Sequence, residues 1–178
     1  FQDQEEYWLS EFSDDLNCLE LRTDYVRPAW QSYNGHSFEF TMEKGTVEKI
    51  RTFCSQMQVT EFMFFMSVFG ILLQKYTGQE DIVIGSPVLG RTLPDSQNLI
   101  GMFVNTVAIR NDINKNYTFK EILIHTAEKC LLAYDNQEYQ FDDLVRKLSA
   151  HKDNSRNPLF DVMFGVQNGG TCSMKIGD

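Results

Sequence analysis

The sequence is poor in cysteine, and its cysteines are not spaced like a metal site or a redox motif. The four cysteines are widely separated and form no CxxC pair, so a zinc site and a dithiol redox centre have no support. Two of them, Cys54 and Cys130, lie among apolar residues of predicted helices. We therefore predict buried, reduced thiols in a cytoplasmic protein rather than a disulfide framework.

Histidine is equally scarce, and the sequence offers no general base. The three histidines are far apart, and none has a carboxylate or nucleophile beside it in a catalytic pattern. Acidic pairs such as Asp142 and Asp143 are neighbours in sequence, so on a helix they point about 100° apart and cannot converge on one target. The residues alone predict no metal site and no self-contained active site.

Positive charge and long apolar runs are also lacking. The chain has 25 acidic against 16 basic residues, a net charge of -9, and a pI near 4.8. That balance repels a phosphate backbone and an anionic membrane surface. The longest apolar run, residues 62–73, contains Ser67 and Gly70 and falls short of the roughly 20 residues that span a bilayer. We predict no nucleic-acid partner and no membrane partner.

What remains is ample material for a folded core. The chain has 178 residues, 42% of them hydrophobic, with 14 phenylalanines, which suits one domain or a piece of one. It begins at Phe1 without an initiator methionine, and we expect it to be a piece of a longer polypeptide. We assign residues 1–168 to the folded unit and predict that residues 169–178 form a flexible tail or the start of a linker.

The hydrophobic pattern alternates between helices and strands. Helices are predicted from residue 2 to 12, from about 45 to 54, from an N-cap at Thr60 to a breaker at Gly78, from a capping box at Thr118 to 134, and from 141 to 148. Strands are predicted at residues 36–42, 81–85, 102–109 and 158–166. This order indicates an α/β fold with a mixed sheet covered by long helices.

A glycine-rich segment at residues 85–92, Gly-Ser-Pro-Val-Leu-Gly-Arg-Thr, has the glycine spacing of a phosphate-binding loop. Such a loop needs consecutive backbone N–H groups and a lysine, whereas Pro87 removes one donor and Arg91 stands where the lysine is required. The segment is not a nucleophile elbow either, because no glycine stands two residues after Ser86. Nucleotide binding is not supported.

Three ordered motifs point to a family. Residues 100–106, Ile-Gly-Met-Phe-Val-Asn-Thr, resemble the Gly-x-Phe-Val-Asn-Thr motif of condensation domains from nonribosomal peptide synthetases. Residues 136–142, Asn-Gln-Glu-Tyr-Gln-Phe-Asp, resemble the family's His/Asn-Gln-Asp-x-Pro-Phe-Glu motif. Residues 152–159, Lys-Asp-Asn-Ser-Arg-Asn-Pro-Leu, resemble its Arg-Asp-x-Ser-Arg-Asn-Pro-Leu motif. The departures at Gln140, Asp142 and Lys152 are modest and concern the subtype.

The resemblance implies a catalytic residue elsewhere. The family's reaction is attributed to a His-His-x-x-x-Asp-Gly motif in its N-terminal half, and this sequence contains no His-His pair. The chain is therefore similar to the C-terminal lobe alone of a two-lobed fold like that of chloramphenicol acetyltransferase. We expect it to be inactive by itself and to serve as one wall of a tunnel in which amide bonds form between carrier-bound aminoacyl or peptidyl thioesters.

The same resemblance implies partners and site residues. The partners are the N-terminal lobe of the same domain, donor and acceptor peptidyl carrier proteins bearing 4'-phosphopantetheine, and an adjacent adenylation domain; no cofactor is expected to bind this lobe directly. Arg91 and Asn105 are the candidates for support between the lobes and of the tunnel. Arg91 could instead be a surface arginine in a mobile loop, and Asn105 could hydrogen-bond substrate or, equally, satisfy local backbone. The tunnel candidates are Ser86, Met102 and Phe103, and a structural motif comprises Arg156, Asn157 and Pro158.

Two other classes of function stay open. A lobe that only docks acidic carrier proteins would gather basic residues such as Arg22, Arg27 and Lys147 on one face. An independent acetyl-CoA-type acyltransferase would need a histidine base at a matching motif, and none is present. The residues 104–106 favour ordinary condensation over the epimerising and heterocyclising relatives, while the amino acids that are joined are not encoded here.

Overall fold

The computed structural model describes residues 2–14, 18–92, 94–148 and 153–167. In chain order the elements are α1 (Gln2–Glu11), α2 (Lys44–Met57), α3 (Glu61–Thr77), β1 (Asp81–Val88), a 3-10 helix (Pro94–Asn98), β2 (Asn105–Asp112), α4 (Phe119–Asp135), α5 (Phe141–Lys147) and β3 (Val162–Met163). The predicted tail at 169–178 lies outside the described residues.

The two longest helices begin and end where their local signals predict. Thr60 accepts a hydrogen bond from the backbone of Met63, and Gly78 closes α3 with a positive φ of 75°. Thr118 and Glu121 form a complete capping box at the start of α4. Because these signals act over three or four residues, they need no tertiary partner to be recognised.

The described residues form a sheet of three strands in the order β2-β1-β3, with β1 antiparallel to β2 and parallel to β3. Helices α3 and α4 pack against each other, with α4 also against β2, whereas α5 packs on β2 and α1. The core is apolar on both faces of β1: Ile82 and Ile84 are almost completely buried on one face, and Val83 is 8% exposed on the other. The predicted mixed sheet with helical cover is confirmed.

Two strand predictions are wrong. Residues 36–42 have no strand structure, and Phe38 and Phe40 are 87% and 77% exposed. The alternating pattern suits a strand, but a strand needs a neighbour, and none of the described residues pairs with this segment. The strand predicted at 102–109 instead spans 105–112, because the pairing with β1 begins only at Asn105 opposite Val88.

The last strand is shorter than its apolar sequence predicts. Only Val162 and Met163 pair with β1, followed by a hydrogen bond from Phe164 N to Gly85 O. Alternate residues of a strand address the same neighbour, so the nitrogen of Pro87 faces β3 as Gly85 does. Proline has no N–H to donate, which ends the parallel ladder there.

No helix of the described part of the chain is by itself long and apolar enough to cross a membrane. Helices α2 and α3 satisfy length and composition only as a pair, with a bend of 105° between them.

Candidate functional site

The β1–β2 loop, described at residues 89–92 and 94–104, presents exposed apolar side chains next to the family-like motifs. It leaves the sheet at Val88 and returns at Asn105, and it contains the 3-10 helix Pro94–Asn98. Ile100 and Met102 are 106% and 92% exposed, and Leu99 is also exposed. Apolar side chains presented together in this way indicate a contact surface.

Arg91 holds the loop together from inside. One guanidinium nitrogen donates to the carbonyls of Ser96 and Leu99, the latter at 3.0 Å, and the other donates to Gly101 O at 3.4 Å. The guanidinium carbon also lies 4.4 Å from the centroid of the Phe103 ring. A planar fork that bridges three carbonyls and stacks on a ring is a task for arginine rather than lysine.

The first residues of the loop fix its exit from β1. Gly90 has a φ of 62°, and any Cβ there would overlap the carbonyl oxygen of Phe103. Only glycine combines this left-handed backbone with so close an approach. Thr92 then donates its hydroxyl to the carboxylate of Glu138, which lies in the turn between α4 and α5.

Asn105 ties the other end of the loop to that same turn, residues 136–140. Its amide nitrogen donates to Gln137 O and Tyr139 O, both at 2.8 Å. Its side-chain oxygen accepts from Phe141 N at 3.3 Å and from Thr106 N at 2.9 Å. The residue is 7% exposed. Two of the three sequence motifs therefore meet through one side chain.

Helix α1 also holds the turn. The Trp8 indole N–H donates to Asn136 O at 2.9 Å, and Trp8 is 2% exposed. The Tyr139 hydroxyl donates to Glu5, which also pairs with Lys147. The hydrogen bond from Lys147 lowers the pKa of Glu5 and raises that of Lys147, while burial, followed by the charge of Glu5, raises the pKa of Tyr139.

The other predicted tunnel residues have different surroundings. Ser86 lies on β1 and is 1% exposed, whereas Met102 projects from the loop. Phe103 is half-buried beneath Arg91. The structure thus brings Arg91, Met102 and Phe103 together in the loop and places Ser86 inside the sheet.

The motif at residues 153–161 fastens the approach to β3. Asn157 accepts from the backbone of Leu159, and Arg156 contacts Asp153 and Asp161, each at 3.5 Å. Asp161, whose side chain is 8% exposed, also accepts from Leu19 N and pairs with Arg27. Pro158 is exposed at the bend. The motif's contacts join the segment after α1 to the last strand.

Metal ligands and buried cysteine thiols are two possible sources of chemistry within the described residues. No group of three or more histidine, cysteine or acidic residues there could hold a metal ion. Cys54 and Cys130 are free and buried, as predicted, and burial raises the pKa of the Cys130 thiol to about 12. A thiol with such a pKa is neutral and unreactive at physiological pH.

Sequence reasoning missed three residues that hold the site: Trp8, Glu138 and Asp161. Each acts on a partner that is far away along the chain; Trp8 and Asn136 are 128 residues apart. The only signal for Glu138 and Asp161 was their position within or beside a recognised motif.

The comparisons agree with these motifs. The family model described as Condensation domain matches residues 1–175. The chain is 41% identical over its whole length to tyrocidine synthase 3 of Brevibacillus parabrevis, and 45% identical over 92% of its length to bacitracin synthase 2 of Bacillus licheniformis. It spans 3% and 6% of those two proteins.

Solved structures show the same architecture. A four-domain nonribosomal peptide synthetase bound to AMP and glycine superposes with a TM-score of 0.90 at 27% identity, over 95% of this chain and 13% of that one. The X-domain from teicoplanin biosynthesis superposes with a TM-score of 0.84 at 21% identity, over 91% of this chain and 36% of that one. The predicted fold class is confirmed, and the chain belongs to the condensation-domain family of nonribosomal peptide synthetases.

Proposed function

We propose that this chain is the C-terminal lobe of a condensation domain that joins two carrier-bound aminoacyl or peptidyl groups. In that reaction the acceptor amine attacks the carbonyl carbon of the donor thioester. A C–N bond forms, the C–S bond breaks, and the proton lost by the amine is taken up as the donor carrier's thiol is released. The three motifs and the identity to peptide synthetases support the proposal.

In this proposal the lobe lines one side of the tunnel and supports its structure, and it does not supply the catalytic base. The chain has no His-His pair, so the histidine that orients the amine belongs to the N-terminal lobe and this chain is inactive alone. The two carrier proteins bring the 4'-phosphopantetheine arms, and an adenylation domain supplies activated residues. Cytoplasmic location follows from the same assignment.

The observation that carries the proposal is the β1–β2 loop, which Arg91 holds in place. Its exposed apolar side chains, Leu99, Ile100 and Met102, form the apolar edge of the loop. Arg91 fixes the loop internally, so Ile100 and Met102 are presented outward in a defined position. Burying such side chains against a second surface is favourable by about 25 cal/mol per Å² of apolar area. We assign that second surface to the N-terminal lobe, with Arg91 and Asn105 supporting the junction and Ser86, Met102 and Phe103 nearest the tunnel.

Calorimetric titration of this chain with the N-terminal lobe of its parent domain tests the assignment. Met102→Asp places a charge in the proposed contact and should weaken binding at least about tenfold, because burying an unpaired charge is costly. Leu72→Asp, an exposed apolar position on α3, is the matched control and should change the affinity less than about twofold. Equal effects of the two variants, or no binding by the parent chain, would contradict the assignment.

Carrier docking without catalysis is the weaker alternative. Two of the basic residues that would form its docking face are already engaged with acidic groups: Arg27 pairs with Asp161, and Lys147 pairs with Glu5. No observation favours this alternative over the first proposal.

A further inference from the structure

The side chain of Asn105 has no hydrogen-bonding capacity left for a substrate. A carboxamide offers two N–H donors and two oxygen lone pairs, and all four are directed at backbone groups: Gln137 O, Tyr139 O, Phe141 N and Thr106 N. Three of these partners belong to the α4–α5 turn and the first residue of α5. The Asn105 side chain therefore binds backbone groups, mainly those of the turn, and has no donor or acceptor left for a substrate.

Four residues from three parts of the chain form hydrogen bonds with the α4–α5 turn. Thr92 reaches it from the start of the β1–β2 loop and Asn105 from the end of that loop. Trp8 and Glu5 reach it from α1. Both ends of the loop are thus fastened to one short segment, and that segment is in turn held by a helix more than a hundred residues earlier in the sequence.

We propose that Asn105 is a positioning residue, and that it transmits the order of α1 and the α4–α5 turn to the β1–β2 loop. The inference rests on the proposed function only where it concerns catalysis; the coupling itself is a property of this chain. When the turn is held, both loop ends are fixed, and the apolar edge faces one direction. When the Asn105 or Trp8 contact is lost, the loop opens without the sheet unfolding.

Hydrogen exchange followed by mass spectrometry on this chain tests the coupling. Asn105→Ala should accelerate exchange in residues 94–106 and 136–141 by about tenfold or more, since it leaves Thr106 N, Phe141 N and two carbonyls of the turn without partners. Asn111→Ala is the matched control. Asn111 is a buried asparagine on the same strand, with its amide bonded to Ile109 O and no contact to the turn. It should leave exchange in both segments within about twofold.

Trp8→Phe guards against an Asn105 variant that fails to fold. It keeps an aromatic ring but removes the indole N–H together with the five-membered ring that carries it, so it should accelerate the same two segments about three- to tenfold. Unchanged exchange in the loop of Trp8→Phe, or equal acceleration by Asn105→Ala and Asn111→Ala, would overturn the inference.

A catalytic readout separates the inference from the proposed function. In the assembled domain, Asn105→Ala should lower kcat for amide formation about tenfold or more with little change in KM for the acceptor carrier, while Asn111→Ala leaves both unchanged. A rise in KM at constant kcat would show that Asn105 contacts the acceptor and would refute the positioning role. An inactive parent domain with the expected exchange pattern would refute the proposed function and leave the coupling established.

Discussion

Replacing Gly85 by alanine should destabilise the protein through one identifiable collision. A Cβ at Gly85 would lie 2.5 Å from two ring carbons of Phe160 and 2.8 Å from a third. Phe160 is 6% exposed, and its ring packs against Phe141 with centroids 5.5 Å apart, so it has no open space into which it can turn. Gly85 stands in the middle strand of the sheet, where the backbone cannot shift without disturbing both neighbours.

Overpacking of this kind costs about 1–3 kcal/mol, and the lower backbone entropy of the unfolded alanine variant offsets about 0.4–1 kcal/mol. At the middle of both ranges the net loss is about 1.3 kcal/mol, and we expect a value of about 1–2 kcal/mol because three ring carbons are struck at once. For a chain of this size, that corresponds to a melting temperature lower by about 2–8 °C. Thermal and urea unfolding, followed by circular dichroism, measure both quantities.

Two comparisons isolate the collision. Gly70→Ala meets only the end of the flexible Ile113 side chain, at 2.9 Å, and should cost less than about 1 kcal/mol. Gly85→Ala combined with Phe160→Leu should be more stable than the sum of the two single changes predicts, by about 1 kcal/mol. The reasoning is refuted if Gly85→Ala unfolds at the parent midpoint, or if the two changes are strictly additive.

Three further outcomes follow from the same contacts. Arg91→Ala should make limited proteolysis within residues 89–104 at least about tenfold faster, because three hydrogen bonds to carbonyls and a ring contact are lost. Arg51→Ala, outside the loop, should leave the cleavage rate unchanged. Equal rates for the two variants would show that Arg91 does not hold the loop. Because the pKa of Glu5 is lowered in the folded protein, its ionised carboxylate contributes to the free energy of unfolding above a pH of about 4.3, and this contribution is lost as pH falls through its folded-state pKa. Glu5→Gln should therefore flatten the acid side of the curve of stability against pH. An unchanged acid side would refute this. Asp161→Asn should lower the free energy of unfolding by about 1–3 kcal/mol by weakening its contacts with Arg27 and Arg156, and a loss below 0.5 kcal/mol would argue against that role.

The parts of the fold that local signals specify were predictable. The cap at Thr60, the glycine at 78 and the capping box at Thr118 placed α3 and α4 within a residue of their bounds. Strands were less predictable because their extent depends on partners. Residues 36–42 alternate as a strand should, yet they have no pairing partner among the described residues. Strand β3 ends where Pro87 has no N–H to donate.

The candidate site was predictable in its membership more than in its geometry. The family resemblance singled out Arg91, Asn105 and Phe103, but their contacts depend on chain segments that meet only in three dimensions. Gly85 is an example: its spacing from Gly90 resembles that of a phosphate loop, whereas the structure requires glycine there because the Phe160 ring leaves no room for a Cβ. Periodicity within a segment could not reveal a ring that arrives from 75 residues further along the sequence.

The most direct test of the central claim is single-turnover amide formation between two loaded carrier proteins, measured as a mass increase of the acceptor carrier. The product should form when this chain and the N-terminal lobe are both present and assembled, and neither lobe alone should form it. Amide formation by this chain alone, or its absence from a demonstrably assembled pair, would contradict the account.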